Sequence, residues 1–298
     1  MRLCAVVLTF NEELHLERCL HSIRPLVHEV LVVDSYSTDG TVAIAMSSGV
    51  KLLQRKFVNY ADQYNWALSR VPHDCDWVLR IDADEYVTPD LVDEINCIIP
   101  TLPADVHGIV VGRSVRFLGC HIRYGGVFPV RVLRVFRSGK GRCERRWMDE
   151  HVIVTGRTVT CKGALIDDNR NSLSWWIDKH NRYASREAVD LLNLEFCFAP
   201  FDSVADMNDR AEASRKRWLK EKVYSRMPLG VRALLYFVYR VIVRLGFLDG
   251  ATGMAYHFFQ GLWYRFLVDQ KIREVKAHMS RNQVDIRIAI REVLQIVV

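Results

Sequence analysis

The stretch Trp77-Val78-Leu79-Arg80-Ile81-Asp82-Ala83-Asp84-Glu85 passes from an almost unbroken apolar run into a cluster of acids. A short apolar run bounded by a polar turn reads as a strand buried on both faces. The same pattern occurs twice upstream. Leu3–Thr9 stops at Asn11-Glu12-Glu13, and Glu29–Asp34 ends in an acid. Between these runs the spacing is helical over Glu12–Ser22 (Leu14, Leu16, Cys19, Leu20), over Thr41–Ser48 and over Tyr60–Ser69. Val50–Gln54 is strand-like. This repeated β-α-β order predicts a parallel sheet flanked by helices. Ligands of such sheets bind outside the C-terminal strand ends. Asn11, Asp34, Asp39, Asp82 and Asp84 all fall at or just after those ends.

Beyond residue 105 the pattern changes. Gly108–Arg116, Val130–Phe136 and His151–Val154 read as further strands joined by Gly-rich turns, completing a mixed, mainly parallel sheet. Ser172–Leu194 is helical in composition, and so is the chain from Asp202 onward, broken at Pro228-Leu229-Gly230 and between Gly246 and Gly253. The expected division is therefore 1–200, an α/β domain with a ligand half (1–100) and a second half (101–200), followed by a helical region over 201–298.

Composition narrows the classes. With 50% hydrophobic and 26% charged residues in 298, the chain has enough apolar material to fold, so disorder is not expected. The net charge of +6 suits phosphate-bearing ligands or an anionic lipid surface without choosing between them. The eight cysteines are scattered with no C-x-x-C pair, which argues against zinc. They are expected to be reduced packing residues. The apolar run Leu3–Leu8 is too short for a signal-peptide core and is read as a buried strand. No G-x-G-x-x-G follows any strand, which excludes a dinucleotide oxidoreductase. No glycine stands in the segment Leu8–Cys19, where a sugar-nucleotide pyrophosphorylase would carry its phosphate loop. No nucleic-acid-binding module is visible, so no nucleic-acid partner is expected.

Asp82 and Asp84 carry the chemistry. If the segment stays extended, carboxylates two residues apart point the same way. Two such charges repel unless a cation lies between them, and Mg²⁺ or Mn²⁺ takes oxygen ligands and bridges to a diphosphate. Asp34, at the end of its strand, is suited to a ribose or base. Ser37-Thr38-Asp39-Gly40 has the composition of a loop and helix cap, with a binding role equally open.

Together, LTFNEE at 8–13, VVDSYSTDGT at 32–41 and DADE at 82–85 resemble family 2 glycosyltransferases of the GT-A fold. WMDEH at 147–151 and DKHNRYASREA at 178–188 are most similar to bacterial members that build lipopolysaccharide core or polyprenyl-linked surface glycans. The resemblance spans about residues 1–195. It implies an inverting transfer from a nucleotide sugar, a UDP-sugar, to a hydroxyl of a lipid-linked saccharide or lipopolysaccharide core. Residue by residue, it implies Thr9, Asn11 and Glu12 beside the nucleotide and Asp34 at the uracil or ribose. Gln63, Asn65, Arg80 and Ala83 complete the donor side. Asp82 contacts ribose and metal, and Asp84 ligates Mg²⁺ or Mn²⁺. The general base is Glu150 or Asp149. Arg145, Arg146, Trp147 and His151 serve acceptor or phosphate. Where many relatives have two consecutive aspartates, this chain has Asp34-Ser35.

The last third of the chain suggests a membrane surface. Arg210, Arg215, Lys216, Arg217, Lys220, Lys222 and Arg226 precede the apolar run Val231–Leu248, which Arg232, Arg240 and Arg244 interrupt. An aromatic stretch, Met254–Val268, follows. A spanning helix needs about 20 predominantly apolar residues. The arginines and the LGFLDGATG break predict instead an interfacial, peripheral or monotopic element. The expected location is the cytoplasmic face of the plasma membrane. A different class, a membrane-docking scaffold with a vestigial nucleotide site, would leave the acids at 34, 82, 84 and 150 idle and costly.

Overall fold

In the computed structural model of the protein, which describes residues 1–144, 150–199, 224 and 227–298, the strand β1 (Leu3–Thr9) lies between two parallel neighbours. These are β2 (Glu29–Asp34) and β4 (Trp77–Arg80), and β3 (Lys51–Gln54) adds to the far side of β2. The unbroken hydrophobicity of β1 has a direct cause. Leu3, Ala5 and Val7 pack on one face with Leu16, Leu20 and Ile23 of α1 (Leu16–Ile23). Val6 packs on the other face with Tyr64 and Ala67 of α3 (Tyr60–Leu68). A strand covered on both sides has no face left for polar residues. Helix α2 (Thr41–Ser47) completes the crossover from β2 to β3.

The sheet continues in the order β3-β2-β1-β4-β8-β6-β11-β5. Its added strands are β5 (Glu85–Val87), β6 (Val106–Phe117), β8 (Val130–Arg137) and β11 (Arg157–Asp168). The short β7 (Cys120–Ile122) pairs with β6, and β9 (Gly141–Cys143) pairs with β10 (Val152–Val154) in a separate ribbon. The sheet is parallel through its first four strands and mixed beyond them, with β8 antiparallel to both β4 and β6. This is the expected α/β, GT-A-like architecture. Among the described residues, β5, β7, β9, β11 and the helix α4 (Pro89–Ile98) go beyond the sequence reading. Thr88 caps α4 by accepting from Leu91 N–H, and Pro89 opens it, a standard helix start.

One expectation about the cysteines is corrected. Cys4 and Cys75 form a disulfide across 71 residues, with their Cα atoms 6.1 Å apart. The strand pairing makes the start of β1 a neighbour of the approach to β4, a proximity that cysteine spacing does not encode.

The chain divides into two compact units. The first comprises 1–123, 127–144 and 150–170, and the second includes 171–199 and 227–298 of the described residues. In the second unit, α5 (Leu173–Phe196) shares an apolar core with α8 (Tyr264–Asn282) and α9 (Ile286–Leu294). Ala188 and Leu192 meet Val268, Ile272, Val275 and Ile290 there. Helix α6 (Val231–Val238) runs into a π-helical segment, Tyr239–Val243. A 3₁₀ turn (Gly246–Asp249), α7 (Gly250–Tyr256) and a second π segment (His257–Trp263) follow. Among the described residues no helix is long and apolar enough to cross a membrane. Two of the arginines expected at a headgroup layer are instead buried. Arg232 pairs with Asp269, and Arg240 lies against His257. The basic stretch Arg210–Arg226 lies outside the described residues, Tyr224 apart.

Candidate active site

The strand ends of the first unit bring the loops after β1 and β2 together. Ser35 N–H donates to Thr9 O at 2.9 Å, extending the parallel ladder by one bond. Asn11, in the left-handed region at φ 55°, accepts from Thr38 N–H at 2.8 Å and donates its own N–H to Ser37 Oγ at 2.8 Å. Asparagine tolerates that backbone because its short amide bonds locally. Glu13 accepts from Gly40 N–H, and Asp39 accepts from Thr41 N–H. The N-cap position itself is Gly40, which makes no side-chain cap bond, so the loop supports the start of α2 from Glu13 and Asp39 on either side of it.

Asp34 sits under this clasp with no exposed surface. Its carboxylate accepts from Thr9 Oγ1 (3.0 Å), Ser37 N–H (2.9 Å), Ser37 Oγ and Gln54 Nε2 (3.0 Å). The group expected to hold uracil or ribose is thus engaged in organising the loops. Asn65 is likewise engaged within the fold. Its amide donates to Cys143 O and accepts from Cys143 N–H, pinning β9 to α3. Gln63 is fully buried, with Nε2 3.3 Å from both Ser35 Oγ and Arg55 O.

After β4 the backbone turns rather than staying extended. Glu85 N–H donates to Asp82 O at 2.9 Å, while Asp82 N–H donates to Glu85 Oε2 at 3.0 Å. The turn sends Ala83 into the core and leaves Asp82 and Asp84 partly accessible. Around Asp82 stands a cationic shell. Tyr60 Oη donates to Asp82 Oδ1 at 2.7 Å and accepts from Arg80 Nε at 3.0 Å. Arg134, almost fully buried on β8, donates both terminal nitrogens to Asp82 Oδ2 at 3.3 Å and also bonds Glu85. Burial alone would raise the Asp82 carboxyl, but Arg134, Arg80 and the Tyr60 hydroxyl overcome it and hold the group well below the usual carboxylate range. Glu85 has the opposite fate. Burial pushes it up despite Arg134, and the Asp82 charge adds to the rise. One acid is held ionised at the surface of the turn, and its neighbour is its buried counterweight.

Asp84 faces the end of β11. Asn169 Nδ2 donates to its Oδ2 at 3.0 Å, and Arg18 on α1 donates to its backbone carbonyl at 3.2 Å while pairing with Asp168. The buried His15 ties this corner to the β1 loop. Its Nδ1 lies 2.7 Å from Glu12 Oε2, and its Nε2 accepts from Arg170 N–H at 2.8 Å. The acceptor role of Nε2 places the proton on Nδ1, donated to Glu12. Tyr60, Arg134 and Asn169 were not singled out by sequence. Tyr60 and Arg134 flank the motif only because α3 and β8 pack beside β4, and nothing in the sequence separates Arg134 from Arg131 in the same apolar run.

No group of three or more histidine, cysteine or acidic side chains that would hold a metal is assembled among the described residues. Mg²⁺ and Mn²⁺ do not require one. Such ions are commonly held by one or two carboxylates plus substrate phosphates and water. Asp82, kept ionised and 31% exposed at its side chain, and the partly exposed Asp84 supply oxygen donors of that type at the sheet edge. The residues fit the ion.

Of the remaining expected residues, Glu150 is near β4 in space. Its backbone carbonyl accepts from Arg80 Nη1 at 3.0 Å. His151 donates its N–H to the buried Glu144 at 2.7 Å. Arg145, Arg146, Trp147 and Asp149 lie outside the described residues.

Comparison with known proteins identifies the family. The profile described as Glycosyl transferase family 2 matches residues 4–125. An uncharacterized glycosyltransferase of Rickettsia typhi is 39% identical over 222 residues, covering 69% of this chain and 73% of the relative. LpsC, a lipopolysaccharide core biosynthesis glycosyltransferase of Rhizobium meliloti, is 29% identical over 196 residues, 62% of this chain and 70% of LpsC. Against a Rickettsia felis relative the chain spans only 34% of that protein's length. Among solved structures, glucosyl-3-phosphoglycerate synthase of Mycobacterium tuberculosis, in complex with Mn²⁺, UDP and glucosyl-3-phosphoglycerate, is 25% identical. It covers 39% of this chain and 44% of that one, at a TM-score of 0.32. The chain belongs to glycosyl transferase family 2.

Proposed function

We propose that the protein transfers a sugar from a nucleotide-sugar donor, a UDP-sugar, to a hydroxyl of a lipid-linked saccharide or lipopolysaccharide core, with inversion at the anomeric carbon. The observation that carries this reading is the Asp82-Ala83-Asp84 turn at the C-terminal edge of the parallel strands, with Asp82 held ionised by Arg134, Arg80 and Tyr60. The similarity to LpsC supports the lipopolysaccharide-core acceptor. On this reading the enzyme works at the cytoplasmic face of the plasma membrane, where soluble donors and lipid-borne acceptors meet.

Asp84, with Asp82, would hold Mg²⁺ or Mn²⁺, which supplies charge neutralisation for the departing diphosphate without proton traffic. Arg134 and Tyr60 keep Asp82 oriented and deprotonated, so no proton must leave it before the ligand binds. The loops clasped by Asn11, Ser37 and Asp39 provide a fixed floor for the nucleoside. On the acceptor side, Glu150 or Asp149 removes the hydroxyl proton as the sugar passes through a cation-like state. The Arg80 bond to the Glu150 carbonyl ties the Glu150 backbone to the end of β4. A single displacement from the face opposite the leaving group inverts the anomeric centre.

Calorimetry with UDP in the presence and absence of Mn²⁺ tests the donor site, and a UDP-sugar screen by nucleotide release, with membrane lipid extract as acceptor, tests the transfer. Metal-dependent UDP binding together with acceptor-dependent release is expected. Absence of any nucleotide binding, with or without metal, would overturn the reading.

A further inference from the structure

Helix α6 and its π-helical continuation are built inside out. Val231, Leu234, Leu235, Val238, Ile242 and Val243 follow the i, i+3, i+4, i+7 spacing of one helical face, and that face is 40–65% exposed. A helix on a water-facing surface normally turns such a stripe inward. Here the inward positions carry the charges. Arg232 is buried, with Nε 2.7 Å from Asp269 Oδ1, and Asp269 also accepts from Gly230 N–H at 2.6 Å. Arg240 is buried with Nη2 3.0 Å from His257 Nδ1, and its guanidinium lies over the rings of Tyr256 and Tyr236. These contacts fix the helix's rotation. Turning the stripe inward would strand a buried aspartate without its arginine, which typically costs several kcal/mol.

The outward face offers almost nothing to hydrogen-bond. Between residues 230 and 248 its exposed polar side chains are Tyr239, an amphipathic ring of the kind enriched at membrane interfaces, and Arg244 at the far end. A protein partner ordinarily makes about one hydrogen bond per 100–200 Å², whereas hydrocarbon requires none. Beside the stripe, Gly230, Leu234, Phe258, Leu262, Trp263 and Phe266 line an open apolar groove of about 400 Å³. Charge also favours lipid. The exposed charge on this face is Arg244, and the adjacent sequence from 210 to 226 carries seven lysines and arginines against two acids. That composition attracts anionic lipid whatever its conformation. From Val231 to Val243 the stripe is about 18 Å long at 1.5 Å per residue, too short to cross a hydrocarbon core of about 30 Å. It is suited to lying in the interfacial plane.

We propose that this stripe docks the protein onto an anionic phospholipid bilayer, with the groove taking up segments of acyl chain. The inference is independent of the proposed transfer reaction. Flotation of the full chain with phosphatidylglycerol–phosphatidylcholine vesicles, and with phosphatidylcholine alone, tests it. The wild type is expected to float with the anionic vesicles. Val238→Glu combined with Ile242→Glu, both at exposed positions, is expected to weaken partitioning at least tenfold with an unchanged thermal melt. Met46→Glu, exposed on α2 in the other unit, is expected to leave partitioning unaltered. Brominated acyl chains are expected to quench tryptophan fluorescence less in Trp263→Phe than in the wild type. Failure of the wild type to float, or equal flotation of the double variant, would overturn the proposal. So would a dimer that the double variant dissociates without any vesicle binding, which would assign the face to self-association.

Discussion

Arg134 on β8 serves two acids of one turn. It donates both terminal nitrogens to Asp82 Oδ2 at 3.3 Å while pairing with the fully buried Glu85 three residues on. The antiparallel pairing of β8 with β4 makes this possible, because it brings an arginine from residue 134 beside a strand that ends at residue 80.

Arg134→Met should therefore destabilise the protein by about 1–3 kcal/mol, the usual cost of leaving buried polar groups without their hydrogen-bond donor. Adding Glu85→Gln to that variant should restore part of the loss, since the amide cannot ionise and can donate where the guanidinium did. Denaturant unfolding of the wild type, both single variants and the double variant gives the coupling directly. Strictly additive effects would mean that the pair is not energetically linked.

Asp84→Ala tests the metal assignment without the same structural risk. Asp84 is partly exposed, so its loss should lower stability by about 1 kcal/mol, within the common range for a lost hydrogen bond. Turnover and Mn²⁺-dependent UDP binding should disappear together. Retained Mn²⁺ dependence would remove Asp84 from the ion's ligands.

The halves of this site differ in how readable they are from sequence. β1, β2 and β4 were legible because each is covered on both faces and so is apolar throughout, and their polar ends were legible because the sheet's crevice collects them. The partners of those ends were not. Arg134 and Tyr60 reach Asp82 through tertiary packing over 52 and 22 residues. The burial of Asp34 under four donors depends on loops that close on each other. Strand β11 was missed because Lys162 and Gly163 interrupt its alternation, at the point where Glu94 of α4 accepts from both of their backbone N–H groups. In the second unit the apolar run around α6 was evident, but its rotation was not. That is set by Asp269 and His257, 37 and 17 residues from the arginines they meet.

Glu150→Gln should abolish turnover while leaving UDP binding intact, because the base acts on the acceptor. The backbone carbonyl that Arg80 holds is unchanged by the substitution, so the local fold should persist. Asp149→Asn is the matched control. Whichever variant retains donor binding and loses at least a hundredfold in turnover identifies the base, within the range expected for general base catalysis. Full activity in both would place the proton acceptor elsewhere.

His180 supplies a pH signature for the second unit. It stacks on Trp176 in α5, with Nδ1 2.9 Å from the Trp176 carbonyl. Burial drives the imidazole down from its usual 6.5 to about 4, against the pull of that hydrogen bond and with help from Lys179. The unfolded chain takes up this proton near its ordinary value, and the folded chain does so only near 4. The contribution to stability is thus complete above about pH 6.5 and is lost as the pH falls toward 4, by up to about 3 kcal/mol at roughly 1.4 kcal/mol per unit. His180→Phe keeps a ring on Trp176 and removes the titration. Denaturant melts at pH 7.5, 5.5 and 4.5 should show a shallower acid loss in the variant than in the wild type. Parallel curves would show that protonation of His180 is not coupled to the packing of α5.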